Sequence, residues 1–280
     1  MSVQISTAFV KQFEREVHEA YQRLGSKLRP AVRNATNIKG SSTTFQRVGR
    51  GTATTKSSNG MVPVMNLTYT SVECGLQDFY AGDWVDRLDE LKIAHDERQV
   101  IANAGAYALG RKTDELIVNA LNAANVPALT LADANVGMTR DKLLKAFELL
   151  GKNDIPDDGQ RFAIVGWQQW AELMKIPEFT SADFIGTDET PYANTNTVAR
   201  KWLGTTWIPY SGLPIDANDI RKCFWFHKTA VGHASGSDVQ TDVTWHGDRA
   251  AHFVNNMMSQ GATLIDGTGV VVINCDETPD

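Results

Sequence analysis

Apolar residues recur at helical spacing near the start of the chain. Phe9, Val10, Phe13, Val17, Ala20, Tyr21 and Leu24 share one face, Ser6 or Thr7 stands where an N-cap belongs, and Gly25 ends the run. The pattern then changes from period 3.6 to strand-like composition. Thr43 to Val48 and Val64 to Val72 predict a hairpin whose tip, Gly49 to Gly60, is rich in Gly, Ser and Thr. That tip is far longer than the usual hairpin loop of about 2 to 5 residues. With nothing of its own to bury, it is either disordered or held by another chain.

A second helical pattern follows. Trp84, Val85, Leu88 and Leu91 predict a short amphipathic turn, and Asp96 to Ala124 predicts one long helix. Its buried side is read as Val100, Ile101, Ala104, Ala108, Leu116, Ile117, Ala120, Leu121 and Ala124. At 1.5 Å per residue it spans about 43 Å, more than a compact small domain, and acts as a strut. Beyond it the chain alternates. Thr139 caps a helix to Leu150, Arg161 to Val165 is a buried strand, Trp167 to Lys175 a helix, and Thr205 to Tyr210 and Cys223 to Phe226 are strands. From Asp238 to Cys275 strand character returns in VTWHGDR, RAAHFVNNM and TLIDGTGVVVINC, separated by glycine-bearing turns. The expected class is α+β, with a compact α/β unit inside it.

Composition narrows this. With 280 residues, 42% of them hydrophobic, the chain can bury a sizeable core. No apolar run approaches the ~20 residues of a membrane span, so no membrane partner is expected. Net charge is −6, which gives no global case for nucleic acid, yet the average hides an asymmetry. Between Ser26 and Gly60 the charged residues are Lys27, Arg29, Arg33, Lys39, Arg47, Arg50 and Lys56, with no acid among them. Such a segment resists collapse and lies along anionic surfaces, either a nucleic acid or an acidic protein.

Candidate chemistry is sparse. No phosphate-binding glycine loop, zincin motif, nucleophile elbow or CxxC is present, so neither catalytic residues nor cofactors are expected. The best metal candidate is His227, His233, His246 and His252 with Asp238, Asp242 and Asp248 between them. Each histidine also sits among bulky strand and turn residues, where ordinary satisfied histidines are commoner. Cys74, Cys223 and Cys275 are too sparse and scattered for a disulfide framework and suit a reducing compartment, and Cys74 and Cys223 read as buried, inert thiols.

The order of parts suits a subunit that reaches for its neighbours: an amphipathic helix, a basic arm, a long-tipped hairpin, a strut, an α/β unit and returning strands. This order resembles a tailed-phage major capsid protein of the Hong Kong 97 type. The segment AGDWVDRLDELKIAHDERQVIANAGAYALGRKTDELIVNAL, Ala81 to Leu121, is similar to the stretch leading into and through the spine helix in one branch of that family. Thr205 to Pro214 and Gly261 to Asn274 carry the likeness more loosely.

The resemblance implies an N-terminal arm over residues 1–39 and an extended loop over 40–76. It implies a peripheral domain from 77–127 with 239–280, and an axial domain over 128–238. Arg47, Arg50 and Lys56 become intersubunit residues of the extended loop. Lys27, Arg29, Arg33 and Lys39 become a basic arm facing a neighbouring subunit or DNA. The implied partners are further copies in pentamers and hexamers, a portal, and packaged double-stranded DNA held without sequence preference. The implied location is the virion head, with assembly in the host cytoplasm. The founding member carries a long N-terminal scaffolding segment that is cleaved away, whereas here the arm begins within the first forty residues, so a separate scaffolding protein is expected. Some members crosslink a loop lysine to a peripheral asparagine, for which Lys56 with Asn255 or Asn256 would be nominated. Two other readings stand beside it: an encapsulin-like compartment, against which the polycationic arm argues, and a metal-dependent hydrolase using the histidines.

Overall fold

The computed structural model describes residues 25–90, 97–124, 126–180 and 200–278. The expected amphipathic helix from Ser6 to Leu24 and Leu91 lie outside the described residues. The strands are β1 (Arg33–Ala35), β2 (Ser42–Val48), β3 (Tyr69–Gly75), β4 (Gln77–Asp86), β5 (Thr130–Leu131) and β6 (Arg161–Val165), then β7 (Arg200–Trp202), β8 (Thr205–Pro209), β9 (Ile220–His227), β10 (Val231–His246), β11 (Ala251–Leu264) and β12 (Val270–Asp276). The helices are α1 (Arg87–Glu90), α2 (Glu97–Asn122), α3 (Arg140–Lys152), α4 (Trp167–Leu173) and α5 (Pro177–Thr180).

Residues fall into two compact units. Among the described residues the smaller holds 25–26, 78–90, 97–112 and 237–259, and the larger holds 27–77, 113–124, 126–180, 200–236 and 260–278. The division therefore cuts three continuous elements, α2, β10 and β11. Strand β12, expected with the peripheral strands, groups instead with the larger unit, because its Val-Val-Val-Ile run is buried on both faces as an interior strand.

That interior place is in a six-stranded sheet of order β5-β12-β9-β6-β8-β7, parallel at β5–β12 and β6–β8 and antiparallel elsewhere. Phe224, Trp225, Phe226, Trp207 and Val270 to Ile273 are buried there, with Leu143, Ala146 and Leu150 of α3, Ile117 and Leu121 of α2, and Ala124 just beyond α2 in the same core. Thr139 caps α3 as expected, its hydroxyl accepting from the Lys142 amide. Lys142 then spends its ammonium on three backbone carbonyls, those of Asp133, Val136 (2.6 Å) and Asn274 (3.0 Å), joining a loop, a helix start and β12.

At the β12 end, Arg221 forms a fork with Glu277, whose Oε1 also accepts from Gln169. Burial pushes the Glu277 carboxyl up, but the bonds from Arg221 and Gln169 outweigh it and hold it below the ordinary glutamate range. A carboxyl depressed in the folded state stabilises the fold above its unfolded value, about 4.3, and that contribution fades as pH falls through the folded value. Thermal unfolding should show Glu277→Gln losing Tm at neutral pH and converging on the parent in acid. A constant gap from pH 7 down to about pH 3 would contradict this.

The second arm of the hairpin, expected from Val64, begins only at Tyr69, since Val62, Val64 and Met65 are exposed and have no partner strand. Trp84 and Val85 belong to β4, not to a helical turn; the Trp84 ring packs on Phe253 of β11 within the smaller unit, and Val85 is buried. The turn expected near Gly261 is absent. Strand β11 runs straight through it, and a Cβ there would lie 2.1 Å from the Gly75 carbonyl, so glycine is required by close approach.

The strut is observed over Glu97–Asn122, with Ile117, Ala120 and Leu121 enclosed as expected. Ala104 and Ala108, expected to be buried, are half-buried. Full enclosure starts at Leu109, although Gly105 in the preceding turns already lies close to neighbours of the smaller unit. Gly105 shows how closely: a Cβ would sit 2.1 Å from Asn256 Nδ2 and 3.1 Å from the Ala81 carbonyl.

Candidate assembly surfaces

Strands β2 and β3 pair from Ser42↔Gly75 to Val48↔Tyr69, and the Gly49 amide adds one further bond to Thr68. Phe45 and Cys74 anchor this ribbon in a small core with Ala234 and Ile265, where Gly232 leaves room for the Phe45 ring. From Gly49 to Thr68 nearly every side chain is exposed. Met61 is 95% exposed, Val64 80% and Val62 75%. The projecting loop is thus polar on its outgoing side and apolar on its return.

Arg47 and Arg50 are placed at the loop's root. Arg47 Nε lies 3.0 Å from Asp266, and Arg50 lies 2.9 Å from Asp154 and donates to the Asn153 carbonyl at 2.5 Å. These contacts edge a cleft of about 240 Å³ that also reaches His227. Both arginines thereby neutralise acids of their own chain that stand more than a hundred residues away, invisible to a local reading. Lys56, in contrast, is exposed and forms no ion pair among the described residues.

The basic arm is tied to the larger unit by its backbone. The amides of Lys27 and Leu28 donate to the carboxylate of Asp114, a fully buried residue of α2, at 3.0 to 3.1 Å. Asp114 was missed from the sequence; the available signal was an acid inside the apolar stripe between Leu109 and Ile117. Strand β1 then runs parallel to β10 through Arg33↔Gly232 to Ala35↔Ala234. The Arg33 guanidinium lies 5.5 Å from the Phe45 ring centre, and Lys39 is exposed. Arg29 lies half-buried in a single 3-10 turn with Pro30.

The four histidines are not gathered. His227 faces Thr229 and Asp158, while His233 faces Asn34 and Gln260. In the smaller unit His246 packs edge-on to Trp84 and His252 against Trp245. Among the described residues no three metal-ligating side chains converge. The three cysteines are buried and free; a hydrogen bond with Cys223 and burial push the Cys275 thiol far up, and burial raises Cys74. Asn256 has both amide ends occupied, by Thr241 and the Ala81 carbonyl, and is fully buried, so it is not available as a crosslink partner. No described helix is long and apolar enough to cross a membrane.

This geometry matches solved phage capsids along nearly its whole length. A chain of the capsid of the cyanophage P-SCSP1u is 17% identical, with a TM-score of 0.76 over 97% of this chain and 94% of that one. A chain of the capsid of Ralstonia phage GP4 is 13% identical, with a TM-score of 0.73 over all of both chains. A chain from Mycobacterium phage Che8 is 19% identical, with a TM-score of 0.72 over 93% and 95%. These likenesses define an α+β fold of the Hong Kong 97 capsid type.

The sequence profile of the family described as phage capsid protein matches residues 5–277. The chain belongs to that family and is a structural major capsid protein, a subunit of a homo-oligomeric shell in the virion head. Neither the compartment reading nor the hydrolase reading is favoured by these matches. Comparison with curated proteins gives no significant match.

Proposed function

We propose that this capsid protein forms pentamers and hexamers that close an icosahedral head around double-stranded DNA, and that its extended loop lies across a neighbouring copy. The observation that carries this is the loop itself: twenty residues, Gly49 to Thr68, project with Met61, Val62, Val64 and Met65 uncovered. A monomer gains nothing from such an arm, whereas a repeated shell contact covers it in every subunit. Lys56 is the intersubunit cation of this reading, and Arg47 and Arg50 set the loop's root. The arm, 1–39, and loop, 40–76, precede a peripheral domain built on 77–127 and 239–280 and an axial domain on 128–238. The two compact units support separating 78–112 and 237–259 from 128–236, while residues 113–127 and 260–280 group with the larger unit. A portal and a separate scaffolding protein complete assembly in the host cytoplasm.

Lys27, Arg29, Arg33 and Lys39 belong to an arm facing an acidic patch of a neighbouring copy. The chain outside the basic segment carries all 33 of its acids, which makes that partner available. Replacing the four with Gln is expected to stop assembly of empty shells, seen by sedimentation and electron microscopy. Empty shells that form normally but lose packaged DNA in a salt-dependent way would assign the arm to DNA instead.

A further inference from the structure

The two arginines at the root of the extended loop meet acceptors that turns of their own already hold in place. Asp266 caps the short turn before β12: its Oδ1 accepts from the Thr268 amide at 3.0 Å and the Thr268 hydroxyl at 2.7 Å, which leaves Oδ2 for Arg47 Nε at 3.0 Å. Asn153 is the C-cap of α3, and Asp154 beyond it takes a left-handed backbone, with φ 55°. Arg50 spans the two, donating to the Asn153 carbonyl from Nη2 and to the Asp154 carboxylate from Nη1 at 2.9 Å. A cation at the last carbonyls of a helix is also favoured by the helix dipole.

An exposed ion pair ordinarily contributes little, because two mobile side chains must be ordered in one geometry. Here the carboxylate of Asp266 is ordered before Arg47 reaches it, and Arg50 takes a second bond from a fixed backbone carbonyl. Beyond Phe45, the hydrogen bonds and ion pairs that residues 46–68 make with the body come from Arg47 and Arg50 alone among the described residues. The cleft of about 240 Å³ at this crossing is lined by Val48 and Gly49 together with Ile155, Pro156 and Gly269, so close packing does not hold the ribbon there.

We propose that Arg47 and Arg50 form an electrostatic strap that aims the extended loop while the subunit is still alone, and that ions in solution release it. The ladder between β2 and β3 fixes the two limbs of the ribbon to each other but not to the body. Phe45 is one point of attachment to the body, and a ribbon held at one point pivots. The strap supplies the second point and with it a direction. On the reading that the loop lies across a neighbouring copy, a loop already aimed loses less freedom when it is captured, so the strap favours assembly without touching the neighbour.

The test uses the full-length, unassembled protein carrying spin labels on Thr52→Cys, just past Arg50, and Lys145→Cys, an exposed position on α3; the native cysteines are buried. Pulsed electron spin resonance reads the spread of distances between loop root and body. The parent should give one narrow distribution at about 0.01 M salt and a wider one at about 1 M, where the screening length falls to about 3 Å. With Asp154→Asn and Asp266→Asn together, the fraction of loops away from the main distance should rise about fivefold at low salt and respond no further to added salt. Asparagine keeps the cap on Thr268 and tolerates the left-handed position, so both turns persist. Arg47→Gln with Arg50→Gln, which leaves the turns untouched, should match that variant. A distribution as narrow as the parent's in either double variant overturns the proposal, because the ribbon then aims itself. So does a parent distribution that ignores salt. The readout needs no shell, so it stands or falls separately from the reading of the loop as a contact between copies.

Discussion

Removing Thr52 to Ser58 from the extended loop is expected to leave a soluble protomer with an unchanged melting temperature and to abolish stable shells. The deleted residues are exposed and contribute no side chain to either hydrophobic cluster, so the folded chain loses almost nothing. The anchoring pairs, Arg47 with Asp266 and Arg50 with Asp154, stay in place. What shortens is the reach of the apolar return side from Met61 to Met65. Shell contacts are individually modest and multiply over many copies, so a small loss at each removes the assembled state while sparing the subunit. Sedimentation and electron microscopy of the variant check this, and particles of normal yield and stability would count against the loop's role.

Leu121→Asp has the largest expected effect on folding. Leu121 is fully enclosed in the main core. Its replacement forfeits about 2 to 5 kcal/mol of packing and adds several more for a carboxylate desolvated without a partner. Together these approach the whole stability of an ordinary domain, about 5 to 15 kcal/mol. The variant should be insoluble or lack a cooperative melt. Ala108→Asp, on the same helix but half-buried, should fold with a reduced Tm, because water still reaches the carboxylate. Circular dichroism and soluble yield separate the two, and a native-like Leu121→Asp protein would show the helix to be rotated from the phase seen here.

Elements with one strong local signal were legible in the sequence. Thr139 announces α3, the run from Arg161 to Val165 is β6 without adjustment, and the strut is found to within two residues. Readings failed where a distant residue decides the outcome. Gly261 resembles a turn until the Gly75 carbonyl is seen against it, and Trp84 resembles a helical stripe until Phe253 is placed beside it. The same limit governed the candidate surfaces. The seven cations from Lys27 to Lys56 were evident as a basic block, but the carboxylates that hold this segment, Asp114 on the Lys27 and Leu28 amides, Asp154 on Arg50 and Asp266 on Arg47, are scattered along the rest of the chain. The polarity of the tip was readable, while the exposure of Met61 to Met65 was masked by their strand-like composition.

The pairing of β1 with β10 also carries a kinetic meaning. Asn34 and His233 stand 199 residues apart, and their strands run parallel, so the contact closes one of the longest loops in the chain. Non-local, parallel pairings are the slow steps of folding, since the chain must be confined before any bond repays the lost entropy. The hairpin of β2 and β3 closes over a far shorter span and forms early by the same rule. The arm is therefore expected to seat last, after β10 exists to receive it. A subunit whose arm is seated has thereby finished its body, and a partner that recognises the seated arm selects for completed subunits without any separate proofreading component.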